Sequence, residues 1–321
     1  MSDELPEAVA AQRPRSDKRR GEQRRSTRVE VNGWINLDKP VGVTSTQAVA
    51  HLKFLFNAKK AGHAGTLDPL ASGVLPIAFG EATKTVPVVQ DGTKAYRFAV
   101  RWGEETDTDD AEGQIIARSD ARPSPADIAA ILPRFIGVIS QIPPMYSAIK
   151  IAGERAYDLA REGQEFEIAA RDITVHSLVL VSHERDEAIF EAECGKGAYV
   201  RAIARDMGRA LGCRGHVVLL RRTRVGPFHA DQGFGLEILR DSAEARTAAL
   251  LSVEAGLSEL TRVPVDRTGA ATLRRGQKLL LRGSAAPLEG PAYTVCLGTP
   301  VAVGNVEEGY FVSTRVFNLG G

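Results

Sequence analysis

The chain has 321 residues, 43% hydrophobic and 25% charged, with 41 basic against 40 acidic side chains and a formal net charge of +1. That length supports a substantial core and two domains, and the near balance of charge excludes a uniformly basic nucleic-acid binder, so any basic surface must be local. No apolar run has membrane-spanning length and no hydrophobic leader is present, so secretion is not expected. Cys194, Cys213 and Cys296 lack the spacing of a zinc site or disulfide framework, as expected of structural thiols in a reducing compartment.

Residues 1–31 contain almost no large apolar side chains and many basic ones, including Arg19, Arg20, Arg24 and Arg25. Such a segment cannot bury enough surface to offset chain entropy, so a disordered basic tail is expected. Order begins at Gly33-Trp34-Ile35-Asn36-Leu37-Asp38-Lys39-Pro40, a strand closed by a proline turn. Thr44 with Gln47 three residues on predicts a capping box, and Val49, Leu52 and Phe56 share the apolar face of the helix that follows.

The stretch Gly62 to Lys84 organises the rest. Its glycine-rich first half carries one carboxylate, Asp68, and the other acid, Glu81, lies beyond the apolar run. Gly62, Gly65 and Gly73 allow positive φ or a close ligand approach, and Pro69 biases Asp68 to an extended conformation, fixing the carboxylate on a loop. Val74 to Phe79 reads as a buried strand in which Pro76 weakens the pairing, followed by a helical pattern from Glu81. An isolated Asp-Pro of this kind is more often a structural turn whose Asp caps nearby amides.

Lys94 to Trp102 alternates, with Tyr96, Phe98, Val100 and Trp102 on one face. The acidic turn Thr106 to Gly113 lacks the ligand pattern of an EF-hand and reads as a solvated loop. Ser124-Pro125 caps a helix that Pro133 shortens. Gln141 to Lys150 and a short helix ending near Gly163 follow, with Lys150, Arg155, Arg161 and Arg171 as basic positions. Ile173 to Val181 and Ala188 to Cys194 predict two antiparallel strands, Gly195-Lys196-Gly197 a turn, and Val200, Ile203, Ala204, Met207 and Leu211 a helix stopped by Gly212. His216 to Arg222 is a further strand with Leu220 on its alternating face. Residues 230–260 look helical, and from Val263 short strands at Lys278 to Arg282, Tyr293 to Leu297, Pro300 to Val306 and Tyr310 to Phe317 suggest a small barrel.

The run His-Ala-Gly-Thr-Leu-Asp-Pro-Leu-Ala-Ser-Gly, followed by an apolar strand and Gly-Glu-Ala-Thr-Lys, resembles the catalytic motif of the TruB family of tRNA pseudouridine-55 synthases, with Ala64 in place of a usual Thr. Cys-Gly-Lys-Gly-Ala-Tyr-Val-Arg resembles that family's second motif, with Gly195 and Ala198 where Ser and Thr are more usual. The strand and Asp-Lys-Pro turn match the family's opening, which carries Lys39. The Gln141 to Lys150 run matches the signature opening an RNA-clasping insertion, about Pro143 to Arg171.

The resemblance implies a mixed α/β (α+β) fold: a mostly antiparallel central sheet in a catalytic domain over 32–260, and a C-terminal PUA-like RNA-binding barrel over 263–321. It makes Asp68 the residue that starts the reaction, Arg201 its ion-pair partner and Tyr199 the group near the C5 proton. Tyr96 and Leu220 would line the uridine pocket, and His63, Lys39 and Lys150 would add polar contacts. The activity implied is conversion of uridine-55 in the T arm of tRNA to pseudouridine, without cofactor, metal, guide RNA or protein partner, by a cytoplasmic monomer.

The chemistry is consistent. A buried Asp tends to protonate and a close Arg reverses that tendency; a guanidinium also offers a two-pronged grip on a carboxylate that Lys cannot. The stacked target base must be flipped out and held. Three other readings compete. A glycoside hydrolase needs two carboxylates flanking the bond, and no second acid shares the Asp68 loop. A non-catalytic RNA-binding protein need not keep Asp68, Tyr199 and Arg201 together. A guide-RNA-dependent synthase shares the motifs but not the clasp-like insertion and small C-terminal domain.

Overall fold

A computed structural model describes residues 28–147, 149–151, 154–156, 159, 162, 166–282 and 287–319. Arg28 to Asn32, at the end of the expected tail, already pair with the body: Val29 exchanges backbone hydrogen bonds with Asn57 and Lys59, and Asn32 Oδ1 accepts from the Glu81 N–H. Residues 1–27 lie outside the described part.

The first half of the chain runs β1 (Gly33–Lys39), α1 (Ser45–Leu55), β2 (Ala61–His63), β3 (Ser72–Phe79), α2 (Val86–Asp91), β4 (Lys94–Trp102), a ribbon of β5 (Glu104–Thr106) and β6 (Ile115–Arg118), α3 (Pro125–Ile131) and β7 (Gly137–Gln141). A two-residue ribbon, β8 (Lys150–Ile151) and β9 (Glu154–Arg155), precedes the long β10 (Arg171–His183) and β11 (Glu187–Cys194). Then come α4 (Val200–Ala210), β12 (Gly215–Val225), β13 (Phe228–His229), β14 (Phe234–Gly235), α5 (Leu236–Asp241) and α6 (Ala243–Ala249). The last section is β15 (Thr261–Pro264), α7 (Arg267–Arg274), β16 (Leu279–Leu280), β17 (Gly290–Cys296), β18 (Thr299–Glu307) and β19 (Tyr310–Val316).

Local chemistry explains the ends of the main helices. Thr44 and Gln47 form the expected capping box on α1, and Ser124 with Asp127 forms another on α3. Pro133 ends α3 early and the chain continues as a 3-10 turn over Leu132–Phe135. The helical pattern after Phe79 becomes a 3-10 turn, Gly80–Lys84, before α2.

Among the described residues ten strands make the central sheet, in the order β14-β1-β3-β12-β4-β11-β10-β7, with β2 on β3 and β13 on β12. Pairing is antiparallel except for β1 with β14 and β3 with β12. Both faces of β3 are covered, which is why Val74 to Phe79 is continuously apolar. Leu75, Ile77 and Phe79 join Ile35, Leu52, Phe98 and Trp102 in the main core. Val74 and Ala78 point the other way, to Trp34, Phe228 and Leu257.

That second core also contains Tyr293, Val295, Val303 and Phe317 from the C-terminal sheet. Among the described residues the latter has five strands in the order β15-β17-β18-β19-β16, a curled half-barrel with its own small core under α7. It begins at Thr261 with β15 running parallel to β17, a strand the sequence pattern did not suggest. Among the described residues its path stays open at β15 and β16.

Candidate active site

Asp68 lies on the loop between β2 and β3. Gly65 at φ +97° and Gly73 at φ +103° bracket the turn, and a Cβ on Gly73 would stand 2.1 Å from the carbonyl oxygen of Arg222. The Ser45 hydroxyl, in the first turn of α1, both donates to Leu67 O and accepts from Leu67 N–H, each at 2.9 Å. The loop is thereby tied to a capped helix on one side and to the sheet on the other.

The Asp68 carboxylate, one-third exposed, faces a cleft of about 290 Å³. Tyr96 from β4, Leu220 from β12, and Tyr199, Val200 and Arg201 at the start of α4 form its walls. Asp68 is the one acid lining it among the described residues. Arg201, 4% exposed, places Nε 3.0 Å from Asp68 Oδ2 as an ion pair. Its Nη1 donates to Thr108 O (2.8 Å) and Asp110 Oδ2 (3.1 Å), and its Nη2 to Tyr146 O (2.9 Å). The expected ion pair is present, but the fork grips no single carboxylate.

Tyr199 is the N-cap of α4. Its backbone is held at both polar atoms by the buried Gln141 side chain, which accepts from Tyr199 N–H (2.9 Å) and donates to Tyr199 O (3.2 Å). Burial pushes the Tyr199 phenol pKa up, so it stays protonated at neutral pH. Tyr96 is enclosed by its neighbours but open to the cleft, and burial raises its phenol too, against the pull of Arg222. Leu220 is 6% exposed.

Other sequence-expected residues stand apart from these. His63 is half-buried on β2 opposite Ile77 and does not line the cleft. Lys39, fully buried at the end of β1, donates from Nζ to Pro40 O (2.8 Å) and Val43 O (2.7 Å). Burial lowers its pKa to about 8, and the Asp68 charge partly offsets this. Lys150 and Arg155 lie on the β8–β9 ribbon, but their side chains, and Arg161 altogether, fall outside the described residues. Arg171 starts β10 opposite Gln141.

The acidic turn is a correction. Thr106, Asp109 and Asp110 are 2–5% exposed, and the reason is on α4. Arg201, Arg205 and Arg209 recur every four residues and so share one helix face. Arg201 meets Asp110, Arg205 meets Asp109 at 2.9 Å and Arg209 meets Glu105 at 2.6 Å. Burial pushes the Asp109 carboxyl up to about 6 against the pull of Arg205, and raises that of Asp110 as well. The spacing of the three arginines was the signal that could have revealed this.

Two buried cations at the cleft also escaped the sequence reading. Lys94 caps Gln90 O and Gly92 O, and burial lowers its pKa to about 8. Arg222, 2% exposed, follows Leu220 by two residues and shares its inward face.

Three comparisons bear on this site. Residues 53–200 match the model for the TruB family pseudouridylate synthase N-terminal domain, and residues 201–258 that for the tRNA pseudouridylate synthase B C-terminal domain. The chain belongs to the TruB family of pseudouridine synthases. It is similar to proteins named tRNA pseudouridine synthase B from Bradyrhizobium diazoefficiens (56% identity, 96% of this chain and 92% of that protein) and Agrobacterium fabrum (52% identity, 94% and 99%). In fold it is similar to a chain of a solved Cbf5-Nop10-Gar1 complex, with TM-score 0.70, 25% identity, and 89% and 84% of the two chains covered. The TruB C-terminal model falls on α4, β12 and the segment behind β1, so the cleft is built from both matched regions. This TruB-family member is therefore an isomerase with a pseudouridine synthase fold.

Proposed function

We propose that this TruB-family isomerase converts uridine-55 in the T loop of tRNA to pseudouridine. The observation that carries the reading is the Asp68 carboxylate, the one acid lining the cleft among the described residues, 3.0 Å from Arg201 Nε between walls formed by Tyr96, Tyr199 and Leu220. The names of the relatives matched over nearly their full length support tRNA as the substrate.

The target base leaves its stack, lies against Tyr96 and is confined by Leu220. Asp68 starts the break of the C1′–N1 bond while the ion pair to Arg201 holds it oriented. The base turns, C5 joins C1′, the C5 proton leaves and the freed N1 takes up a proton, so the product is an isomer of the substrate. With its pKa raised, Tyr199 acts as a neutral phenol that orients or relays through a water, directing that proton away. His63 offers the substrate a polar contact outside the cleft, Lys39 braces the turn beneath Asp68, and Lys150 belongs to the clasp over 143–171, where cations meet phosphates. Residues 32–260 form the catalytic unit and 263–321 the PUA-like RNA-binding unit, and the basic segment 1–31 precedes them, its last residues joined to the body. The protein acts in the cytoplasm as a monomer, needing no metal, cofactor, guide RNA or protein partner.

Tritium release from C5-labelled uridine in tRNA tests this directly. Release from wild-type transcript, absent when uridine-55 alone is replaced by cytidine, is the expected result. Release that persists from the replaced transcript would shift the site, and no release from either would overturn the reading.

A further inference from the structure

Arg222 is a buried cation with no ion-paired carboxylate among the described residues. Burial lowers its pKa from the usual guanidinium value, and the acidic groups acting on it are the Tyr96 phenol and, more weakly, Asp68. Burying a charge in this way is costly unless its donors are satisfied. Backbone carbonyls take three of them, Nε donating to Val74 O (2.8 Å), Nη1 to Thr66 O (3.1 Å) and Nη2 to Gly65 O (3.0 Å), and the Tyr96 hydroxyl is a further hydrogen-bond partner.

Those carbonyls are not scattered. Gly65 and Thr66 open the loop that carries Asp68, and Val74 follows its exit. The Arg222 backbone sits beside Gly73 in the parallel β3–β12 pair, so close that Gly73 admits no Cβ. On its other side Arg222 is paired in register with Tyr96. One residue therefore touches both ends of the Asp68 loop and the strand neighbour on which the base is proposed to stack.

We propose that Arg222 is a positioning residue for the isomerisation: it clamps the two ends of the Asp68 loop and fixes that loop's height against Tyr96. This rests on Asp68 starting the reaction. A planar fork with Nε and both Nη directed to separate carbonyls suits the task, and a single ammonium does not. Misplacing a reacting group by about 1 Å is enough to cost on the order of a hundredfold in rate.

The test measures single-turnover tritium release at saturating tRNA, tRNA affinity and thermal unfolding for wild type, Asp68→Asn, Arg222→Lys and Arg222→Ala. The proposal expects Arg222→Lys to unfold cooperatively and bind tRNA normally while its rate falls by on the order of tenfold to a hundredfold. It expects millimolar guanidinium ion, and not the same concentration of ammonium, to restore part of the rate of Arg222→Ala. A wild-type rate in Arg222→Lys overturns it. So does loss of cooperative unfolding in both variants, which would make Arg222 a core residue and no more. Activity retained by Asp68→Asn would instead overturn the mechanism on which the proposal stands.

Discussion

Arg201 reaches Asp68 through one nitrogen, Nε, at 3.0 Å, while its two terminal nitrogens turn to Asp110 and to the carbonyls of Thr108 and Tyr146. The guanidinium is a junction joining the cleft, the acidic turn and the segment after β7. Its effect on Asp68 depends on three contacts made away from the cleft.

The Asp68 and Arg201 variants should therefore fail differently. Asp68→Asn removes the charge at the cleft and leaves the buried junction in place, so turnover falls to background while tRNA binding and the unfolding midpoint hold. Arg201→Lys cannot serve four oxygens with one ammonium. It should lose rate and also stability, within the ~3–5 kcal/mol typical of breaking a buried pair. Urea unfolding beside single-turnover rates checks this, and equal midpoints for the two variants would contradict it.

Asp110 should matter to the reaction without touching substrate. It is 2% exposed and does not line the cleft. Asp110→Asn keeps its shape but removes the counter-charge at Arg201 Nη1. Rate at saturating tRNA should drop about tenfold for each ~1.4 kcal/mol lost in the transition state, with affinity unchanged. An unaltered rate would confine Asp110 to folding.

Lys39 gives a pH signature. Its pKa falls from 10.5 to about 8 in the folded chain. Between those values the unfolded chain binds more protons, so the Lys39 contribution to stability rises with pH across that window. Relative to Lys39→Met, wild type should gain about 1–2 kcal/mol between pH 7.5 and 9.5. Unfolding free energies for both proteins at both pH values decide the matter, and a constant difference would mean that Lys39 does not titrate there.

Truncation after Leu260 should damage the whole protein. Tyr293, Val295, Val303 and Phe317 share a core with Trp34, Val74 and Phe228, and Asn318 N–H donates to Glu81 Oε2 at 2.6 Å. Uncovering large apolar side chains costs about 1.5–3 kcal/mol each. Calorimetry should show a much lower or non-cooperative transition, and an unchanged one would mean that the two sheets are separable.

The parts of this molecule legible in the sequence are those fixed by local rules. Thr44 and Ser124 marked helix starts, Pro133 a helix end, and the Asp68 and Tyr199–Arg201 runs carried enough pattern to name the family. What escaped depends on partners distant in the chain. The turn at Asp109 and Asp110 looked solvated because its arginines lie about ninety residues later on α4. Arg221, Arg222 and Arg224 lie close together in the chain but part in the fold: Arg221 pairs with Asp38 and Arg224 with Glu259 near the surface, while Arg222 points into the sheet. Alternation along β12 was visible, but only the sheet order told which side was closed. Lys39 matched its motif, and its inward capping of Pro40 and Val43 needed the fold.

The inward cations change how the charge of the chain is to be weighed. Arg201, Arg205, Arg222, Lys39 and Lys94 are each no more than 8% exposed, and all are engaged by protein oxygens. None is free to displace a counterion from a polyanion, although all belong to the 41 basic residues in the sequence. The salt sensitivity of RNA binding counts phosphates that are actually neutralised. It will follow the positions of the outward-facing lysines and arginines, and the total will say little about it.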